Sequence, residues 1–288
     1  MENKFFFQLM LLVIGVFLLT VGSSATIDAL NRISNILRIP KQTAGSIILG
    51  LATSFPEIVV TLDASLQGAI DLAIGNALGS YVTNIGFIIG ICALIRPIHV
   101  NKQHLYWDIP CMGASLILAI LLVLNGTLHH YQGVLLLIAL AAYLLLSSYQ
   151  KPLTSDTPSR TKTTTSQLLI RQHIMLWLLF VISVASLIAG AELMVSSASK
   201  IAILYQIPEL YVGLTIIAFG TSLPELATTV AAIVKHENEL AFGNIIGSSI
   251  YCLLLIFSIP LLCSQTPISS ETLWLSFMLM SVITFVFW

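Results

Sequence analysis

The chain repeats itself at a constant spacing of 168 residues, the distance from Glu57 to Glu225. Thr53-Ser54-Phe55-Pro56-Glu57 returns as Thr221-Ser222-Leu223-Pro224-Glu225, and each copy stands inside an apolar stretch. The match extends to either side without a gap. Ile39-Pro40 answers Ile207-Pro208, Gly45 answers Gly213, Gly75-Asn76 answers Gly243-Asn244, and Gly79-Ser80 answers Gly247-Ser248. Such a duplication demands a fold with two related halves. It also places a carboxylate beside a proline-broken backbone twice, where the charge and the freed peptide groups both need partners.

The surroundings of these phrases identify the solvent. Hydrophobic residues make up 57% of the chain and charged residues 9%, against about a quarter charged in a soluble domain. Apolar runs of about twenty residues predict membrane-spanning helices near 5–30, 42–66, 70–95, 105–125, 129–149, 172–198, 209–234, 240–263 and 271–288. The first run lacks a small-residue cleavage site and continues as a helix, so it reads as a span rather than a cleaved leader. Lys151 to Arg171, rich in Ser, Thr, Pro and basic residues, reads as a surface linker between a first repeat (1–150) and a second (172–288). Five helices separate equivalent positions, and an odd number reverses direction. The repeats are therefore expected to be inverted about an axis in the membrane plane. At the same offset 129–149 maps beyond Trp288, so nine spans are visible and a tenth is expected to be missing.

Basic residues set the expected orientation. With the N-terminus outside, the inner side receives Arg32, Arg38, Lys41, Arg96, Lys102, Lys151, Arg160, Lys162, Arg171 and Lys235, and the outer side Lys4 and Lys200. That bias obeys the positive-inside rule and makes the linker cytoplasmic.

The repeated phrase has two physical readings. Ser54-x-x-Glu57 is the spacing of a capping box, in which the glutamate serves only its own helix end. Alternatively, Pro56 and Pro224 strip carbonyls of their helical donors, and Glu57 and Glu225 join them in holding a cation. A kink does not require glutamate at membrane depth, and here it occurs twice. Carboxylates, hydroxyls and carbonyls are hard ligands suited to Ca²⁺ and Na⁺. Two ionised glutamates match one Ca²⁺, and Thr53 and Thr221 can add backbone oxygens. Ser80 and Asn84, four apart, share one face of the following helix, and Ser248 and Cys252 repeat that face. Serines there also serve as glue between helices.

Other polar residues read as structural: Asp63 and Asp71 at a hairpin end, Glu192 in the sixth span, and Asp108 at a helix entrance. Cys92, Cys111 and Cys263 read as packing residues. Metal-spaced histidines, CxxC pairs, phosphate loops, nucleophile elbows and basic–aromatic patches are all missing from the sequence. ATP-driven transport, enzyme chemistry and nucleic-acid binding are not indicated, and no cofactor is expected.

GLATSFPEIVVTLDA with GNALGSYVTNIG, and GLTIIAFGTSLPELATT with GNIIGSSIY, resemble the paired repeats of the cation/calcium exchanger superfamily, most nearly its prokaryotic sodium/calcium exchangers. The resemblance implies an all-α membrane fold of ten helices in inverted five-helix repeats, with the first and sixth sliding over the other eight. It implies cation ligands Thr53, Ser54, Glu57, Ser80 and Asn84 from the first repeat, and Thr221, Ser222, Glu225 and Ser248 from the second. It implies a multi-pass protein of a prokaryotic inner membrane that exchanges Ca²⁺ for Na⁺. The family's sodium/calcium members usually carry an acid where this chain has Cys252, and asparagine in place of Tyr81 and Ser249. The cysteine keeps a Ca²⁺/H⁺ antiporter open as an alternative, and the expected missing span keeps open a transport-inactive, cation-binding homologue.

Overall fold

The computed structural model describes residues 2–96, 104–124, 127–148, 166–205, 218–264, 268–269 and 273–287. Its helices are α1 (Glu2–Leu37), α2 (Lys41–Thr53), α3 (Phe55–Leu66), α4 (Ile70–Ile95), α5 (Tyr106–Val123), α6 (His130–Ser148), α7 (Ser166–Leu204), α8 (Leu223–Val234), α9 (Asn238–Cys263) and α10 (Leu273–Phe287). A two-residue antiparallel ladder, β1 (Thr127–Leu128) with β2 (Ile268–Ser269), ties the α5–α6 connection to the α9–α10 connection. Each predicted apolar run corresponds to one of these helices except 42–66, which holds both α2 and α3, and α1 and α7 outrun their expected bounds. α7 starts at Ser166, inside the expected linker, because Ser166–Arg171 carries no helix breaker. Among the described residues six helices are long and apolar enough to span, or seven counting α2 and α3 as one bent span. Residues 209–217 of the expected 209–234 span, the linker residues 151–165, Asn125-Gly126, Gln265-Thr266-Pro267 and Ile207-Pro208 lie outside the described residues, as does Gly213 within the first of these.

The duplication is visible in how helices end. The α3–α4 turn passes through Gly68 at φ 78°, and the α8–α9 turn through its equivalent, His236, at φ 64°. Both turns close alike, with Ala69 N–H donating to Ala64 O (2.9 Å) and Glu237 N–H to Ala232 O (2.8 Å). A glycine adopts that left-handed conformation without strain; histidine is among the few other residues enriched there.

Two packing regimes follow. α1 and α7 lie against each other at glycine contacts: a Cβ on Gly190 would stand 2.7 Å from Leu19 N. Thr26 Oγ1 donates to Ser183 Oγ across the pair at 3.0 Å. The most apolar window of α1 is 11% buried and that of α9 83%, while the second half of α1 sets Ile27, Ala29, Leu30 and Ile33 in the main core. α9 is the central post, and α2 crosses it closely. A Cβ on Gly247 would stand 2.2 Å from Ser46 O, and one on Gly243 would stand 2.6 Å from Gln42 O. Without lipid-excluding hydrophobic drive between helices, such small-residue crossings supply association through close van der Waals contact. At Ala44–Leu49 the backbone of α2 widens into a π-helical turn.

Charge gathers at one end. Lys41 pairs with Glu237 (2.6 Å), which also accepts from Asn31 Nδ2, while Lys235 pairs with Asp28 (2.6 Å) and donates to Ser24 O. Arg96 contacts the neighbouring His236. Three of the ten basic residues expected on one side thus meet around the α8–α9 turn. The two expected on the other side, Lys4 and Lys200, together line a cavity of about 580 Å³ with Phe7, Gln8, Ile203 and Leu204.

Candidate cation site

Each repeat breaks its helix at the serine of the repeated phrase. Ser54 (φ −78°, ψ 5°) separates α2 from α3, and Ser222 (φ −88°, ψ 6°) precedes α8. The α2–α3 bend is 43°. Pro56 and Pro224 lie in the first turn of the second segment, so the carbonyls of Ala52 and Gly220 receive no amide proton from them. Helix then resumes, with Ile58 N–H donating to Ser54 O and Leu226 N–H to Ser222 O.

Neither serine side chain caps its own helix. Each reaches across to the other repeat. Ser54 Oγ donates to Glu225 Oε1 at 3.1 Å, and Ser222 Oγ to Glu57 Oε1 at 3.5 Å. The exchange overturns the capping-box geometry and brings both carboxylates to one junction between the repeats. There Glu57 is 2% exposed and Glu225 1%. A lone buried carboxylate is costly, and two together repel, so the arrangement calls for positive charge.

Oxygens without partners fall on several of the residues expected to hold that charge. Glu57 Oε2, Glu225 Oε2, Asn84 Oδ1, Thr221 Oγ1 and Ser248 Oγ are buried without a hydrogen-bond partner. A buried unsatisfied polar atom is uncommon and expensive, and five belong to predicted ligand residues. The Thr53 hydroxyl, with its one proton, lies within hydrogen-bond distance of Leu49 O (3.1 Å) and Asn244 Oδ1 (3.2 Å). Ser80 is buried on α4. The donor set is carboxylate, hydroxyl and amide oxygen, which fits Ca²⁺ or Na⁺. Among the described residues no cluster of three or more His, Cys, Asp or Glu side chains converges, so soft-metal chemistry has no cage here.

Asn84 and Cys252 occupy equivalent positions and meet, Nδ2 to Sγ at 4.0 Å. Both stand at π-helical turns, Thr83–Ile88 in α4 and Cys252–Ile256 in α9. Such widened turns recur at functional sites because they re-aim side chains without ending a helix.

Two positioning residues escape the sequence reading. Asn76 Nδ2 donates to Glu57 O (3.2 Å) and Thr61 Oγ1 (2.9 Å), fixing the start of α3. Asn244 Nδ2 donates to Thr228 and Thr229 Oγ1 (3.1 Å each), while its Oδ1 accepts from Thr53. Their signal was the matched Gly-Asn pair, which opens both quoted repeat motifs but was assigned no role. At roughly 0.6 kcal/mol per hydrogen bond in a membrane, Asn244→Leu is expected to cost about 2 kcal/mol and Asn76→Leu about 1 kcal/mol. Thermal unfolding in detergent checks the order; equal losses would contradict it.

Two broken helices, cross-tied around buried oxygens in a duplicated membrane bundle, define a transporter of the cation antiporter class. The family model described as sodium/calcium exchanger protein matches residues 7–149 and 175–288. This chain belongs to the sodium/calcium exchanger protein family. It is 35% identical over 261 residues to the putative antiporter CaxA of Alkalimonas amylolytica, covering 85% of this chain and 77% of that one. It is 32% identical over 285 residues to inner membrane protein YrbG of Escherichia coli K12, covering 96% and 86%. Among solved structures it resembles the sodium-calcium exchanger NCX_Mj soaked with 10 mM Na⁺ and zero Ca²⁺, with a TM-score of 0.80, 27% identity and coverage of 98% and 89%.

Proposed function

We propose that the chain exchanges Ca²⁺ for Na⁺ across a prokaryotic inner membrane by alternating access at this junction. The reciprocal serine–glutamate bonds carry the reading, because they hold two carboxylates together while leaving one oxygen of each unpaired. Glu57 and Glu225 supply the charge that balances Ca²⁺. Asn84, Thr221 and Ser248 offer neutral oxygens, and Ser54, Ser222 and Thr53 orient the carboxylates and α2. Ser80 completes the ligand face on α4. The resemblance to a sodium-calcium exchanger over nearly the whole chain supports Na⁺ as the counter-ion. Protons are the second reading, favoured by Cys252, which contributes no hard oxygen beside Asn84.

Calcium-45 uptake into proteoliposomes, driven in turn by sodium and proton gradients, tests both. A sodium gradient alone is expected to drive uptake. Uptake on a proton gradient only would transfer the assignment to Ca²⁺/H⁺ exchange, and none on either would remove the transport reading.

A further inference from the structure

We propose that the cavity between the start of α1 and the end of α7 binds the headgroup of an anionic phospholipid. The two helices run antiparallel: Phe5 meets Tyr205 with ring centroids 6.0 Å apart, and a Cβ on Gly15 would stand 2.9 Å from Gly190 O. Each turns the same kind of face to the space between them. Lys4, Phe7 and Gln8 from α1, and Lys200, Ile203 and Leu204 from α7, line a cavity of about 580 Å³. In both helices the spacing is i, i+3, i+4, which sets a lysine and its two followers on a single stripe. None of the six belongs to the cation site, and the proposal holds whichever ion is exchanged.

The cavity stands at headgroup depth. Lys4 lies in the first turn of α1, and Lys200 lies close to Leu204, where α7 ends. The neighbouring Tyr205 is 67% exposed. Tyrosine and lysine at the end of a long apolar helix mark the boundary between hydrocarbon and water.

Charge and wall chemistry together select the occupant. Two ammoniums at one cavity repel each other, and the dipole of α1 adds to the cost at Lys4, which sits near that helix's positive end. A phosphate between them relieves both penalties. At the opposite end of the molecule Lys41 and Lys235 each hold a carboxylate at 2.6 Å, whereas Lys4 and Lys200 form no ion pair among the described residues. Gln8 Oε1 is buried without a hydrogen-bond partner and can accept from a headgroup hydroxyl, as phosphatidylglycerol offers. The apolar walls favour a lipid over a free anion. Phe7 and Ile203 are about half exposed, and the glycerol and first acyl carbons of a lipid cover surface that inorganic phosphate leaves wet. Basic pockets between membrane helices hold anionic headgroups in this way.

The full chain in a neutral detergent, titrated with phosphatidylglycerol or with phosphatidylcholine of the same acyl chains, tests the site, with bound lipid counted by native mass spectrometry. The unaltered chain is expected to bind phosphatidylglycerol about ten-fold or more tightly than phosphatidylcholine. Lys4→Gln and Lys200→Gln are each expected to weaken phosphatidylglycerol binding about five-fold, and the double variant about 25-fold. Lys4→Arg with Lys200→Arg keeps both charges and is expected to stay within about twofold. Ile203→Trp also keeps both charges but fills the cavity, and is expected to lose the bound lipid. Unchanged binding in Ile203→Trp would show two lysines reaching independently for water and would overturn the site. Unchanged binding in the double Gln variant would overturn the part given to the lysines. Displacement of the lipid by millimolar inorganic phosphate would make this a soluble-anion site and overturn the lipid assignment. Size-exclusion elution checks that each variant is folded. Where one is not, the two lipids on the unaltered chain still decide: equal binding of both overturns the proposal.

Discussion

Glu57→Gln and Glu225→Gln are each expected to abolish calcium exchange while leaving the protein inserted. Glutamine preserves the shape and one carbonyl oxygen, so the serine of the opposite repeat keeps an acceptor. What disappears is half the negative charge of a junction almost closed to solvent. Unbalancing a buried charge pair costs about 3–5 kcal/mol, which corresponds to a loss of about a hundred-fold or more in calcium affinity. The two variants should fail equally, because the carboxylates occupy equivalent positions and make reciprocal bonds. Calcium-45 flux normalised to verified membrane insertion checks this. Near-normal flux in either variant would return that glutamate to a purely structural role.

Gly247→Val is expected to produce the largest loss of folded protein. The α2–α9 crossing brings Ser46 O to 2.2 Å from the position of a Cβ at residue 247. The obstructing atom is backbone, so no rotamer change relieves the clash, and the helices must separate. Overpacking a well-filled core costs about 1–3 kcal/mol, and valine, with two further methyl groups against a rigid carbonyl, belongs at or above the upper end. Separation also moves Ser248, the next residue, away from the junction. Size-exclusion recovery and thermal unfolding in detergent check the prediction, with Gly113→Val in α5 as the control. A Cβ at Gly113 meets nothing within 4 Å. Equal recovery of the two variants would show that the α2–α9 contact yields easily.

Much of this architecture could be read from the chain because the duplication keeps an exact register. An uninterrupted spacing of 168 residues exposes equivalent glutamates, glycines and serines without any structural information. The apolar runs locate the helices for a similar reason: in a bilayer, length and hydropathy do most of the sorting. The destination of the Ser54 and Ser222 hydroxyls was not legible. Ser-x-x-Glu satisfies a local capping rule and a long-range bond to the other repeat equally well, and only the meeting of two segments 168 residues apart decides between them. Asn76 and Asn244 were visible as matched letters, yet their bonds to Thr61 and Thr229 depend on how the hairpins close. The π-helical turns at Asn84 and Cys252 share no turn-forming residue, since Thr83–Ile88 holds Asn84 and Gly86 while Cys252–Ile256 holds none, so composition gives them no common signal.

The length of α1 and α7 has a mechanical consequence. Thirty-six and thirty-nine residues measure about 54 and 58 Å at 1.5 Å per residue, against a hydrocarbon slab of about 30 Å. Neither rod can stand upright with its whole length in oil; each must lean or project into the headgroups. Because the two are pressed together at Gly190 while the most apolar window of α1 is only 11% buried, leaning is something they do jointly. The thickness of the surrounding bilayer then enters as a lever arm, and a thinner or thicker membrane sets a different resting tilt for the pair.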